Sequence, residues 1–296
     1  MELRVLHYFL AVAEEESFTK AAERLHVTQP TLSRQIAQLE DEVGKPLFVR
    51  DSRGAALTAA GMLLRRRAGE LLSLADKAKD ELRDGEETLH GTVAIGSGEF
   101  LSSSCVAACM AAFHSAHPLV GYELYSGNAD NIVDRLERGL LDIGVMSTPV
   151  DTRRYDYLPL PAKEEWGILV RADDPLAKRR AVTPDDLVGI PLIGPLGEAT
   201  QSRIAHWMGN AADRLNYVAR GNLLYNEALL AAAGLGAVIG IRLHLRYDGL
   251  TFIPFDPPFS GDTVLLWKRG QHFAPATRAF LDFAKVYIEG MTEDAK

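Results

Sequence analysis

The chain has 296 residues, 47% hydrophobic and 24% charged, enough for roughly two domains with buried cores. That composition excludes disorder, collagen and a disulfide scaffold, and the only two cysteines, Cys105 and Cys109, cannot build a metal cage. A net charge of −8, taken for the chain as a whole, argues against a nucleic-acid partner.

Leu3, Leu6, Leu10 and Ala13, widened by Val5, Phe9 and Val12, recur at helical spacing and predict a first amphipathic helix. Ser17 is placed to N-cap a second helix over 18–25. Thr28 is placed to cap a third that runs to about Val43 and tolerates Pro30 in its first turn. Leu32, Ile36, Leu39 and Val43 form the buried stripe of that third helix, while Pro30, Arg34, Ala37 and Gln38 face away, flanked by Thr31 and Ser33. With a three-residue turn before it, the third helix completes a helix-turn-helix pattern that presents its N-terminal residues to a major groove. Residues 47–50 and 55–58 read as short strands around Asp51, Ser52, Arg53 and Gly54, a basic-tipped wing in which glycine supplies a positive φ. Residues 1–58 therefore read as a winged helix-turn-helix.

Residues 59–90 form a long linker helix in which Leu64, Ala68, Leu71, Ala75, Ala78 and Leu82 alternate spacings of four and three, a heptad seam. One helix cannot bury such a seam alone. The simplest partner is a second copy, which would pair two winged modules on a two-fold DNA site. Gly85 and Gly91 bracket the end of the linker.

Over residues 91–296 β-rich runs alternate with helices, which predicts a mostly parallel sheet. Strands are expected at 92–97, 122–125, 142–146, 166–170, 192–193, 217–219, 237–241 and 264–268. Helices are expected up to 116 and at 129–140, 202–208, 223–233 and 275–288. Turn chemistry at 159–163 divides the set into two α/β lobes, one of about 91–162 and 267–296, the other of about 163–266.

Ligands in open α/β sheets lie beyond the carboxyl ends of the strands, which nominates a set of turn residues. After the first strand, the hydroxyls and amides of Ser97, Gly98 and Ser102 stand at a helix N-terminus where a ligand carboxylate could be held, although simple capping accounts for the serines equally well. Glu99 would repel an anion there, so it either points outward or selects a cationic or hydroxylated group. Asn128, Ser147, Thr148, Gly194, Pro195, Leu196 and Gln201 complete the set, each of them also readable as a turn or cap. Gly96-Ser97-Gly98 opens like a dinucleotide fingerprint, but Leu101 holds the third glycine position and no nucleotide is expected.

Cys105 and Cys109 are four apart on one helix, which invites a redox reading, whereas two small buried hydrophobes is the simpler one. Ser17-Phe18-Thr19-Lys20 matches the Ser-x-x-Lys of acyl enzymes but falls inside the helix-turn-helix without companion motifs. No enzyme, metal or cofactor is expected. The longest nearly apolar run, 228–241, contains Gly234, Gly236 and Gly240 and is too short for a bilayer. The amino terminus has no basic n-region, so the chain is expected in the cytoplasm.

Ser17, Phe18, Thr19, Ala21, Ala22 and Leu25, then Thr28-Gln29-Pro30, Ser33-Arg34-Gln35-Ile36, Leu39-Glu40, Gly44, Leu47-Phe48, Arg50, Leu57-Thr58 and Gly61 together resemble the amino-terminal signature of LysR-type transcriptional regulators. Leu140-Leu141-Asp142-Ile143-Gly144, 231–236 and Phe280-Leu281-Asp282-Phe283 sit where that family carries similar phrases; Gly240-Ile241-Arg242 departs from it, since a proline usually closes that phrase. The resemblance implies a winged helix-turn-helix, a dimerising linker helix and a two-lobed α/β effector domain resembling periplasmic binding proteins, often assembled as a tetramer. It implies a sequence-specific regulator whose operator binding or activation responds to a small molecule held between the lobes. The expected partners are double-stranded operator DNA, that effector, further copies of the chain, and RNA polymerase if the protein activates.

On this resemblance the DNA contacts fall on Thr28, Gln29, Pro30, Thr31, Ser33, Arg34 and Gln38, with Arg50 and Arg53 from the wing. Phosphate contacts are local, so the acid excess of the whole chain does not oppose them. The competing readings are a small-molecule binding protein or enzyme with an incidental N-terminal module, and a thiol redox-sensing regulator using Cys105 and Cys109.

Overall fold

A computed structural model describes residues 1–51, 54–82, 88–244 and 246–294, which divide into two compact units, Met1–Arg83 and Asp84–Lys296. In the first unit, α1 (Leu3–Glu15), α2 (Phe18–Arg24) and α3 (Gln29–Val43) precede a hairpin of β1 (Phe48–Asp51) and β2 (Gly54–Leu57) and the long α4 (Ala59–Glu81). The caps form where expected: Ser17 Oγ accepts from the Lys20 amide and Thr28 Oγ1 from the Thr31 amide, each at 3.4 Å. Leu32, Ile36 and Leu39 of α3 are buried with Leu6, Phe9, Phe18 and Phe48, and the Phe48 ring lies 5.3 Å from Phe9 and 5.6 Å from Phe18. Val43 does not join the stripe; it is 41% exposed, because α3 ends at Gly44 and the chain turns away.

The wing is tied down at both ends. Glu40 Oε1 accepts from the amides of Leu47 at 2.7 Å and Phe48 at 3.1 Å, which fastens the hairpin to the end of α3. At the other strand Gly54 has φ +144°, and a Cβ there would lie 2.4 Å from the Glu16 carbonyl that accepts the Ala55 amide, so glycine is required for both conformation and space.

The heptad seam is shared rather than free. Ala68 is fully buried and Leu72 nearly so, both packed with Leu64 into the winged core. Leu71 at 40% and Leu82 at 85% remain exposed, with Leu63, Leu74 and Ala78. Ala68 is therefore not available to a second copy, and Leu64 is half-covered, because the first half of α4 spends one face on its own domain. Gly85 and Arg53 lie outside the described residues, as does the side chain of Arg50.

The second unit contains β3 (Gly91–Ser97), α5 (Ser103–Ala116), β4 (Val120–Ser126), α6 (Ala129–Glu137), β5 (Ile143–Ser147), β6 (Tyr155–Arg171), β7 (Pro191–Pro195), α7 (Glu198–Met208), β8 (Asn216–Gly221), α8 (Leu224–Ala232), β9 (Ala237–Ile241), β10 (Leu250–Pro254), β11 (Ser260–Lys268) and α9 (Pro275–Asp294). The strands run in the order β4-β3-β5-β11-β6-β9-β7-β8, with β10 also on β6. Each lobe has a parallel trio, β4-β3-β5 in the first and β9-β7-β8 in the second, and antiparallel strands join them. The first lobe packs α5 and α9 through Cys109, Phe113 and Phe280, and packs α6 through Ile132 and Leu136. The second buries Ile168, Ile193, Ile204, Ala228 and Val238.

Residues 159–163 are not a turn but the interior of β6, which pairs with β11 over 155–165 and with β9 over 166–169. Pro159 and Pro161 are tolerated because that half of β6 has β11 on one side only, beside a register shift at Asp262/Val264. β11 also pairs with β5 from Thr263, so the return to the first lobe begins near Ser260 and not at 267. The strand β10 was not expected from the sequence.

A charge at a buried helix position with no partner costs about 3–5 kcal/mol. Ala68→Asp should therefore unfold the winged unit, seen as loss of helical circular dichroism and of its melting transition. A folded, merely monomeric variant would return Ala68 to a subunit interface.

Candidate nucleic-acid interface and ligand cleft

The outward side of α3 is polar and carries no acid before Glu40. Thr28, Gln29, Pro30, Thr31, Arg34 and Gln38 are exposed, and Ser33 is half-buried. Thr28 and Thr31 hydroxyls lie 2.8 Å apart, and Gln35 donates to the Gln38 carbonyl oxygen at 3.0 Å, which orders the row around Arg34. Arg24 is held away from this role by Glu14 at 2.7 Å and Glu15 at 3.2 Å. Arg65 and Arg66, exposed near the start of α4, are basic positions that the helical pattern did not single out.

In the second unit a cavity of about 720 Å³ opens between the lobes, within the roughly 300–1,000 Å³ of small-molecule sites. Gly98, Glu99, Asn128, Ser147, Thr148, Pro195 and Leu196 line it as expected. Asn128 is also the cap of α6, accepting from Asn131 at 3.0 Å. Four expected residues do not line it. Ser97 donates to the Gly98 carbonyl at 2.7 Å, Gly194 lies against the Tyr217 ring, and Gln201 donates to the Leu196 carbonyl at 2.7 Å.

Ser102 is fully buried and turned inward, its hydroxyl donating to Glu164 Oε1 at 2.7 Å. Glu164 also accepts the Leu101 amide at 2.8 Å and the Ser102 amide at 3.1 Å. The start of α5 is thus an anion site, but the anion is the protein's own.

Two contacts cross the cleft. Glu99 Oε2 accepts the Leu224 amide at the start of α8, so it faces the cavity and caps the opposite lobe. From α7, Arg203 donates to the Thr148 carbonyl at 3.1 Å, with its guanidinium 5.2 Å from the centre of the Phe259 ring. Burial pulls the Arg203 pKa down while Asp262 pushes it up.

Glu227, in the first turn of α8, lines the cavity at 5% exposure. Burial, reinforced by the charge of Glu99, pushes its carboxyl up from 4.5 to about 8. Glu227, Arg203 and Trp166 were missed in the sequence. For Glu227 there was a signal, a single acid directly before the apolar run 228–241.

Cys105 and Cys109 are both buried on α5, and burial raises both thiols, Cys109 to about 12. A reactive thiolate is disfavoured there. Among the described residues no helix is long and apolar enough to cross a membrane.

The architecture, a winged helix-turn-helix with a two-lobed α/β cleft domain, defines a ligand-responsive DNA-binding protein. A family model described as a bacterial regulatory helix-turn-helix protein of the lysR family matches residues 3–62, and one described as the LysR substrate binding domain matches residues 86–287. The chain belongs to the LysR family of transcriptional regulators, which bind operator DNA and small-molecule effectors and form oligomers. It is 31% identical over 298 residues to the Hca operon transcriptional activator HcaR of Escherichia coli, covering 99% of this chain and all of that one. It is 28% identical over 304 residues to the E. coli dual regulator OxyR, covering 95% and 96% of the two chains. CbnR, a LysR family regulator of known structure, superposes with a TM-score of 0.71 at 21% identity over 97% of this chain and 99% of that one; full-length CbnR bound to its target DNA gives 0.69.

Between its ordinary value of 4.5 and about 8, Glu227 keeps a proton in the folded state that the unfolded chain gives up. The stability it contributes is complete below the lower value and is lost as pH rises through the upper one. Melting of the second unit in wild type and in Glu227→Gln, from about pH 5 to about pH 9, should show the wild type falling relative to the variant. Parallel curves would mean that Glu227 titrates as an exposed carboxylate.

Proposed function

We propose that the α3 face around Arg34 reads operator DNA and that an effector in the 720 Å³ cleft sets how the protein holds that DNA. The observation that carries this reading is a pair of bonds from opposite lobes across the cavity, Glu99 to the Leu224 amide and Arg203 to the Thr148 carbonyl. A molecule between the lobes changes the free energy of their closure by its own differential contacts, and closure is then available as a two-state signal. The target-DNA complex of CbnR supports the DNA half of the proposal, and a regulator that reads operator DNA in this way works in the cytoplasm. Thr28, Gln29, Thr31, Ser33 and Gln38 supply polar contacts beside Arg34, and Pro30 fixes the first turn. Arg50 and Arg53 add phosphate contacts from the wing.

Copies associate through the apolar face of α4 that the winged core leaves uncovered, Leu71, Leu74 and Leu82 with Ala75 and Ala78. Burial of both thiols tells against redox sensing at Cys105 and Cys109.

Gel-shift titration against fragments of the protein's own genome, repeated across salt, tests the DNA half. Arg34→Ala should weaken operator binding by on the order of 1–3 kcal/mol without lowering the melting temperature. Wild-type affinity in that variant would remove α3 from the interface. Leu71→Asp should leave the winged unit folded and lower the mass seen by ultracentrifugation; an unchanged mass would place the subunit contact elsewhere.

A further inference from the structure

One wall of the cleft holds a carboxyl group that the protein leaves without a partner. Glu227 is 95% buried, lines the cavity, and has no hydrogen bond or ion pair among the described residues. Its place is built: a Cβ at Gly221 would come within 2.5 Å of its Oε1, so the glycine keeps open the space the carboxyl occupies. Glu99 reaches the same wall from the other lobe and spends one oxygen on the Leu224 amide. Near both acids, the buried Tyr247 hydroxyl has no partner among the described residues, nor has the indole N–H of Trp166 on the cavity lining.

The charges facing the cavity are unbalanced in one direction. Glu99, Asp130 and Glu227 line it, with Asp134 paired to Arg138 at 3.1 Å, and among the described residues the one cation on the lining, Arg203, is committed to the carbonyls of Thr148 and Ser260. The starts of α5 and α8 are closed by Glu164 and Glu99 and that of α6 by Asn128, while the start of α7 on the cavity lining has no side-chain cap but faces the Asp130 carboxylate, 3.8 Å from a Cβ position at Gly197. Residues 84–296 hold 27 Asp and Glu against 19 Lys and Arg, so the field around this unit draws in cations.

We propose that the effector is an organic cation, an apolar body carrying a protonated amine that donates to Glu227 and Glu99. This rests on the reading of the cleft as the effector site. Alone, the buried carboxyl avoids a costly desolvated charge by keeping its proton; an ammonium beside it stabilises the carboxylate, so that proton is given up to solvent as a hydrogen-bonded ion pair forms. The apolar surroundings of Phe100, Trp166 and Ile241 receive the body of the molecule.

The test uses the full-length protein, with thermal shift and calorimetry against benzylammonium, benzyl alcohol and phenylacetate, which share one apolar body and differ in charge. Glu227→Gln removes the charge at nearly constant shape, Glu99→Gln does the same across the cleft, and Ala199→Trp fills the cavity from the exposed first turn of α7. The expected result is that benzylammonium raises the melting temperature and binds at least about tenfold more tightly than phenylacetate. It should lose about tenfold in Glu227→Gln and bind no more in Ala199→Trp. If Glu227→Gln is too unstable to titrate, the loss in Glu99→Gln carries the comparison. Phenylacetate binding more tightly and vanishing in Ala199→Trp would overturn the cationic class while leaving the cleft as the effector site. Benzyl alcohol matching benzylammonium, or no response to the amine at millimolar concentration, would overturn it too. Benzylammonium binding unchanged in Ala199→Trp would overturn the cleft reading itself.

Discussion

A carboxylate with no exposed surface, Glu164, fixes the point on which the second unit turns. It stands in β6 where the strand leaves one sheet for the other, and it accepts from the Leu101 and Ser102 amides, the Ser102 hydroxyl and, at 3.1 Å, the Thr263 hydroxyl. Burying an isolated charge is prohibitive, and this one is retained because four donors and the positive end of α5 meet it. The donors come from the β3–α5 loop and β11, so the bond set locks three segments at the crossover. The cleft wall at Gly98, Glu99 and Phe100 enters α5 directly from that lock, which gives it a fixed position from which to face the second lobe.

The same physics recurs across the cavity with the opposite economy. Glu99 caps α8 from the other lobe with a single amide and keeps a free oxygen in the cleft, where it raises the proton affinity of Glu227. A cap made between lobes exists only when they are closed, so its energy belongs to the closed arrangement. The Arg203 to Thr148 bond works the same way, and both lie on the cavity that a ligand would fill. On the proposed reading of the cleft, the residues that hold the lobes together are also those that meet the ligand.

The winged unit was legible because its determinants are local. Ser17 and Thr28 act within a few residues of themselves, the positive φ of Gly54 is a turn property although its contact with Glu16 is not, and the apolar period of α3 names its buried face except at Val43, where the helix ends. The heptad of α4 shows the limit of a period, which says which face is apolar and not what covers it: the winged core takes Ala68 and Leu72 and leaves Leu71, Ala78 and Leu82 exposed. Proline at 159 and 161 signals a turn to any local reading, while a strand with one open edge accepts it. The serines after β3 were read as a seat for a ligand carboxylate, whereas neither Ser97 nor Ser102 lines the cavity and Ser102 meets Glu164, 62 residues away in sequence, a distance no local pattern spans. The cleft was placed by the rule that ligands lie beyond strand ends, and the rule found the turns while missing Glu227 and Arg203, which project from helices.

The acid excess that first weighed against DNA resolves into two separate distributions. Residues 1–83 hold 13 Lys and Arg against 13 Asp and Glu, so the whole net charge of −8 falls in residues 84–296. Within the first unit several acids are spent internally, Glu14 and Glu15 on Arg24 and Glu40 on the amides of the wing. What remains outward on the first turns of α3 is Arg34 among hydroxyls and amides. At physiological salt a phosphate responds mainly to charges within about 8 Å, so the local surface of α3 around Arg34, and not the net charge summed over the chain, decides that contact. One chain can thus be neutral where it meets DNA and acidic where it receives its effector.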